Sequence, residues 1–216
     1  MTGIPNQLIL DTRSVAFVLL AVFIVPFTPG EATADPALGR LEEVRDQGIL
    51  YLKKRRYKPA LQRLTTVYET PAGPQDFRTV YARGRAAYGV HQIQVAFEMA
   101  FAARTLADSK RRLARVQGFI SDLSADYGPV DFRAAPGENR LEGRILLERQ
   151  STIINKKKKS TFESVRQELR SVDIRLPARL YLPYGRYIAN NIPFEIEHGE
   201  KTPVVDLFLQ IANNTR

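Results

Sequence analysis

Residues 44–103 read VRDQGILYLKKRRYKPALQRLTTVYETPAGPQDFRTVYARGRAAYGVHQIQVAFEMAFAA, and one helical hairpin occurs in them twice. Gly48, Tyr51, Tyr57, Ala60, Leu64 and Val67 are answered 36 residues later by Gly84, Ala87, Ile93, Ala96, Ala100 and Ala103. A fixed period of this size marks units that bury their apolar faces only by stacking on each other. Steps of three and four place Leu41, Val44, Gly48 and Leu52 on one helical face. Ala60, Leu61, Leu64, Val67 and Tyr68 line the next helix, and Pro71, Ala72, Gly73 and Pro74 stop it. Phe77, Val80, Tyr81, Gly84 and Tyr88 begin the second hairpin, which Ile93, Ala96, Phe97, Ala100 and Ala103 complete.

These residues resemble the tetratricopeptide repeat. Gly48, Tyr51, Ala60, Leu64 and Val67 match its small, aromatic and apolar places in the first unit, and Gly84, Ala87, Ala96, Ala100 and Ala103 in the second. The period exceeds the usual value of about 34, so the turn at residues 71–75 must hold the extra residues. Val44 and Val80 stand where a tryptophan is usual, and Ala87 where an aromatic is common. An amphipathic helix over residues 109–127, with Leu113, Val116, Ile120 and Leu123 on one face, is expected to cap the stack.

At Gly128-Pro129 the helical pattern gives way to short period-two segments bounded by turn residues. Val130, Phe132 and Ala134 predict a first strand, residues 143–154 one or two more, and residues 173–182 another. Residues 186–189 and 192–197 predict a hairpin around Asn190-Asn191, residue types that tolerate positive φ. A last strand is expected over residues 204–209. Ser160 and Glu163 have capping-box spacing, so an inserted helix is expected there, with Phe162, Val165 and Leu169 on its buried face. The stretch from Leu180 through Pro183, Gly185 and Tyr187, followed by Gly199-Glu200 and Val204, resembles the PEGA-type, prealbumin-like sandwich modules of bacterial surface proteins. Tyr184 departs from that pattern, since a proline or acidic residue is commoner there.

The fold class read from these patterns is α+β: a helical-hairpin bundle over residues 35–128, then a small antiparallel β-sandwich with one inserted helix over residues 129–216. Residues 1–34 read as a signal peptide. The apolar run SVAFVLLAVFIVPF (residues 14–27) is shorter than the roughly 20 residues a spanning helix needs. Ala32 and Ala34 supply the small residues that signal peptidase accommodates, leaving Asp35 as the mature terminus. With only Arg13 against Asp11 ahead of the run, an uncleaved membrane anchor is the alternative. The chain is therefore expected to be exported, periplasmic or envelope-associated.

The formal net charge of +9 favours acidic partners. The absence of cysteine excludes disulfides, thiolate metal sites and cysteine nucleophiles. His91 and His198 lack partners at ligand spacing, no loop alternates Asp and Asn for calcium, and no Gly-Lys-Ser/Thr phosphate loop or Gly-x-Ser-x-Gly elbow occurs. No cofactor, metal or catalytic residue is expected, and the chain reads as a non-enzymatic adaptor for another envelope protein. A hydrolase would need acids clustered in a cleft.

The alternative reading is a module binding an anionic envelope polymer, lipid or polysaccharide through basic clusters. Lys53, Lys54, Arg55 and Arg56 lie at a hairpin tip, and Lys156, Lys157, Lys158 and Lys159 are expected in an exposed loop before the inserted helix. A third cluster, Lys110, Arg111, Arg112 and Arg115, opens the capping helix. Aromatics for base stacking are not interleaved with these clusters, and export disfavours nucleic acid. The bland reading leaves the clusters as separate solvated patches.

Overall fold

The computed structural model describes residues 36–209 other than 140 and 154, with residues 36–38 described by their backbone alone. The expected signal peptide with Ala32 and Ala34, and the expected mature terminus Asp35, lie outside the described residues. Helices come first and strands after, as the α+β reading has it: α1 (Pro36–Lys53), α2 (Tyr57–Tyr68), α3 (Phe77–Gly89), α4 (Ile93–Thr105) and α5 (Lys110–Ser124) precede β1 (Tyr127–Ala134). Then follow β2 (Glu142–Gly143), β3 (Leu147–Arg149), α6 (Lys156–Ser171), β4 (Ile174–Arg175), β5 (Ala178–Pro183), β6 (Gly185–Ala189), β7 (Ile192–Ile196) and β8 (Val204–Leu207). No helix of the described residues is long and apolar enough to cross a membrane.

Each of α1 to α5 packs on the next in the chain. The turns α1–α2 and α3–α4 are closed by the same pair of main-chain hydrogen bonds. The Arg56 N–H donates to the Tyr51 carbonyl at 2.9 Å, and the Gln92 N–H to the Ala87 carbonyl at 3.0 Å. One residue earlier, Arg55 donates to Leu52 and His91 to Tyr88, at 3.0 and 3.1 Å. These paired bonds define a Schellman motif, which satisfies helix-end carbonyls by turning one residue left-handed. That residue is Arg55 in the first turn (φ 56°) and His91 in the second (φ 66°). Small residues let the helices close: a Cβ on Gly48 would meet the Leu64 side chain at 2.9 Å, and one on Gly84 would meet Met99 Cβ at the same distance.

The α3 N-terminus shows how capping ties the first hairpin to the second. The Asp76 carboxylate accepts from the Arg78 and Thr79 N–H groups, both at 3.1 Å, and from the Thr79 hydroxyl at 2.6 Å. Arg45 of α1 lies 3.5 Å away. Partial burial opposes ionisation of Asp76, but the Thr79 hydroxyl, the two backbone donors and Arg45 outweigh it and hold the carboxyl below its usual range. Asp76→Ala should cost about 1–2 kcal/mol, as loss of a helix cap does. A folded-state value below the unfolded one means the stabilisation is present above the unfolded value and is lost as pH falls through the folded one. The gap in Tm between wild type and Asp76→Ala should therefore be full at neutral pH and shrink below about pH 4.

The strand half departs from the sequence reading in three ways. Its strands form sheets of order β5-β1-β8, β2-β4 and β3-β6-β7, and they are not all antiparallel. β8 pairs parallel to β1, with Asp131 opposite Val204 and Ala134 opposite Leu207. The expected strand over residues 173–182 is two, β4 and β5. The inserted helix begins at Lys156 and not at the Ser160 box, because Asn155 caps it by accepting from the Lys157 and Lys158 N–H groups at 2.9 and 3.4 Å. Lys156 to Lys159 thus form the first turn of α6 instead of a loop, and Thr161 sits buried inside the helix.

One core draws on both three-stranded sheets and α6: Val130, Phe132, Leu147, Phe162, Val165, Leu169, Tyr187, Ile196 and Val205 are all buried in it. The Asn190-Asn191 hairpin joins β6 and β7, with φ of 46° and 69° at the two residues. Gly185 has φ 142°, a backbone conformation that L side chains rarely adopt, so this corner favours glycine. The described helices and strands belong to one compact unit. They join where the Gln94 carboxamide of α4 pairs with the Tyr181 backbone of β5, donating to its carbonyl at 2.8 Å and accepting from its N–H at 2.9 Å. The Tyr184 hydroxyl adds a second tie, donating to the Ser124 carbonyl at the end of α5, at 2.6 Å.

Candidate anion-binding cleft

The first residues of α6 bring the second basic cluster against the tips of both hairpins. Between them lies a cavity of about 610 Å³. Lys53 and Arg55 reach it from the first hairpin, Arg85 and His91 from the second, and Lys157 and Lys158 from α6. Asp126 is the one carboxylate among the lining residues. It sits 2.7 Å from the Lys158 ammonium and compensates that cation. Lys53, Arg55 and Lys157 have no ion-pair partner among the described residues.

Aromatic side chains complete the walls. Tyr57, Tyr81, Tyr88 and Tyr127 line the same cavity. Phe119 of α5 supports two of them from behind, meeting the Tyr81 and Tyr88 rings edge-on at 5.9 and 6.1 Å. The Arg85 guanidinium also lies over Phe119, 5.0 Å from its centroid, and 3.7 Å from Asp122. The Tyr127 hydroxyl is 3.4 Å from that of the buried Thr161, joining the start of β1 to α6.

Electrostatics concentrate positive potential here. The macrodipole of α6 makes its start the positive end of a sixteen-residue helix, and three lysines follow Lys156 there. Cations in a first turn oppose the dipole by a few tenths of a kcal/mol each. Burial, and then Lys157, depress the pKa of His91, so its imidazole is neutral at pH 7. Burial raises the pKa of Tyr88 and of Tyr127, which stay protonated and can donate.

The structure brings together four of the eight basic residues singled out in the sequence. Lys53, Arg55, Lys157 and Lys158 meet, whereas Lys54, Arg56 and Lys156 do not line the cavity, and Lys159 lines a separate one with Arg149 and Arg166. Arg56 lies over the Tyr51 ring at 5.1 Å. The third cluster stays apart: Arg112 pairs with Asp108 at 2.8 Å. Arg85 and the tyrosines carry no local signal that would have singled them out. Among the described residues no group of three His, Asp or Glu is placed to hold a metal ion. Comparison with known protein families, curated proteins and solved structures finds no match for this chain.

Proposed function

We propose that this protein is a non-enzymatic binding module that holds an anionic segment of a larger ligand in the cleft between its hairpin tips and α6. The observation that carries this is the convergence of Lys53, Arg55, Lys157 and Lys158, distant in sequence, on one concave surface with a single opposing carboxylate. In this reading the chain loses residues 1–34 on export and works in a bacterial envelope, where phosphate-rich and carboxylate-rich polymers are abundant. Residues 35–128 are a pair of tetratricopeptide-like hairpins with a cap, a reading supported by the common period and the matching turns. Residues 129–216 are a PEGA-like sandwich, a reading supported by the core shared between the two three-stranded sheets.

Titration with long-chain inorganic polyphosphate across about 50–300 mM salt tests the proposal. Affinity should fall steeply with salt, and Lys53→Gln with Lys157→Gln should weaken it by about tenfold or more. A flat salt response, or a double variant that binds as wild type does, overturns the reading.

Docking of a second envelope protein is favoured by a different feature. β8 ends its sheet, and Val204 within it and Phe208 just beyond are 46% and 62% exposed. An extended segment could add there as a further strand. Capture through this edge should survive high salt and fail with Phe208→Asp.

A further inference from the structure

Both hairpin turns place a side chain in the left-handed region, and both of those residues line the same cleft. Glycine is the usual residue at this position of a Schellman turn and asparagine the next, because a Cβ crowds the following carbonyl. The chain instead carries Arg55 (φ 56°) and His91 (φ 66°), 36 residues apart at equivalent points. The turns do not need them, since main-chain atoms alone close both. Neither side chain has a hydrogen bond or ion pair among the described residues. Two unfavourable backbone choices at matched positions, converging on one cavity, call for a reason outside the turns.

We propose that Arg55 and His91 are ligand-contacting residues of the cleft, kept at these positions to hold a phosphate group carried on a saccharide. The inference rests on the reading of the cleft as an anion site and adds the chemistry of the ligand. The Arg55 guanidinium offers a planar fork that matches two phosphate oxygens, with Lys53 and Lys157 beside it as point charges. The neutral His91 imidazole presents one donor and one acceptor, which suits a phosphate oxygen and an adjacent sugar hydroxyl. Tyr57 and Tyr88 line the walls. A concave cavity of about 610 Å³ accommodates a sugar ring with its phosphate, whereas a flat membrane surface would not enter it.

Arg55→Gly and His91→Gly, in the full-length chain, separate a ligand role from a structural one. Each glycine relieves the left-handed residue, so Tm should rise by about 2 °C, while affinity for polyphosphate falls about fivefold or more in each. Glucose 6-phosphate should compete with polyphosphate for the wild-type protein, and glucose should not. If wild type binds polyphosphate and the two variants bind equally well, the assignment of Arg55 and His91 falls and the anion cleft survives. If the variants bind more weakly and also melt lower, the two residues are structural and the assignment falls again. Wild-type protein that ignores polyphosphate and glucose 6-phosphate alike removes the cleft reading itself. Binding to phosphatidylglycerol vesicles without competition by glucose 6-phosphate overturns the saccharide and points to a lipid headgroup.

Discussion

Tyr187→Ala should destabilise the protein by about 3–5 kcal/mol, the range for emptying an aromatic site in a close-packed core. Tyr187, on β6, is fully buried and among the largest enclosed side chains, with its ring stacked against Phe194 at 5.4 Å and near Phe162 at 5.7 Å. The cavity left behind would open beneath both three-stranded sheets and α6, so the site has little freedom to collapse. The hydroxyl adds a second element. It donates to the Pro183 carbonyl and accepts from the Arg149 guanidinium at 3.0 Å, and Arg149 also donates to the Tyr184 carbonyl at 2.8 Å. Burial drives the Tyr187 pKa well up, so the phenol stays a donor over the whole accessible range. Tyr187→Phe keeps the ring and loses only these bonds, at about 1–2 kcal/mol. Urea unfolding of the two variants separates packing from hydrogen bonding; equal losses for both would contradict this account.

Phe97→Ala should cost about 3–4 kcal/mol and, beyond that, uncouple the helices from the strands. Phe97 is 1% exposed, and its ring stacks on Tyr181 of β5 with centroids 3.7 Å apart and planes 11° from parallel. Gln94, one turn earlier on α4, clamps the backbone of the same Tyr181. The wild-type protein should therefore unfold in one transition by circular dichroism and by tyrosine fluorescence, with coincident midpoints. In Phe97→Ala the two midpoints should separate. A double-mutant cycle with Tyr181→Ala should return a coupling of about 0.5–1.5 kcal/mol. Strict additivity, or midpoints that stay coincident in the variant, would show that the junction is held elsewhere.

Much of this architecture is legible in the chain because its signals are local. Ala60, Leu64 and Val67 recur on one helical face, and they are the buried residues of α2. Asn190-Asn191 tolerates positive φ, and it makes the β6–β7 turn. The start of α6 is displaced from the sequence reading because Ser160 and Glu163 imitate a capping box, which leaves the four lysines ahead of it in a loop. Asn155 supplies the cap, and the burial of Phe162, Val165 and Leu169 holds the longer helix in place. The parallel pairing of β8 with β1 was illegible too, since a strand's pattern records which face is buried and not which neighbour runs beside it.

The order of helices and strands, the doubled hairpin spacing and the basic net charge can all be read along the chain. Each follows from residues a few positions apart, or from simple counts. It takes the folded chain to show that Lys53 and Arg55 share a cleft with Lys157 and Lys158, that Arg85 and four tyrosines join them, and that Lys54, Arg56, Lys156 and Lys159 stand aside. That outcome depends on how α6 and the α4–β5 junction pack. Packing is a sum of many weak contacts between distant residues, and no single stretch of the chain encodes it.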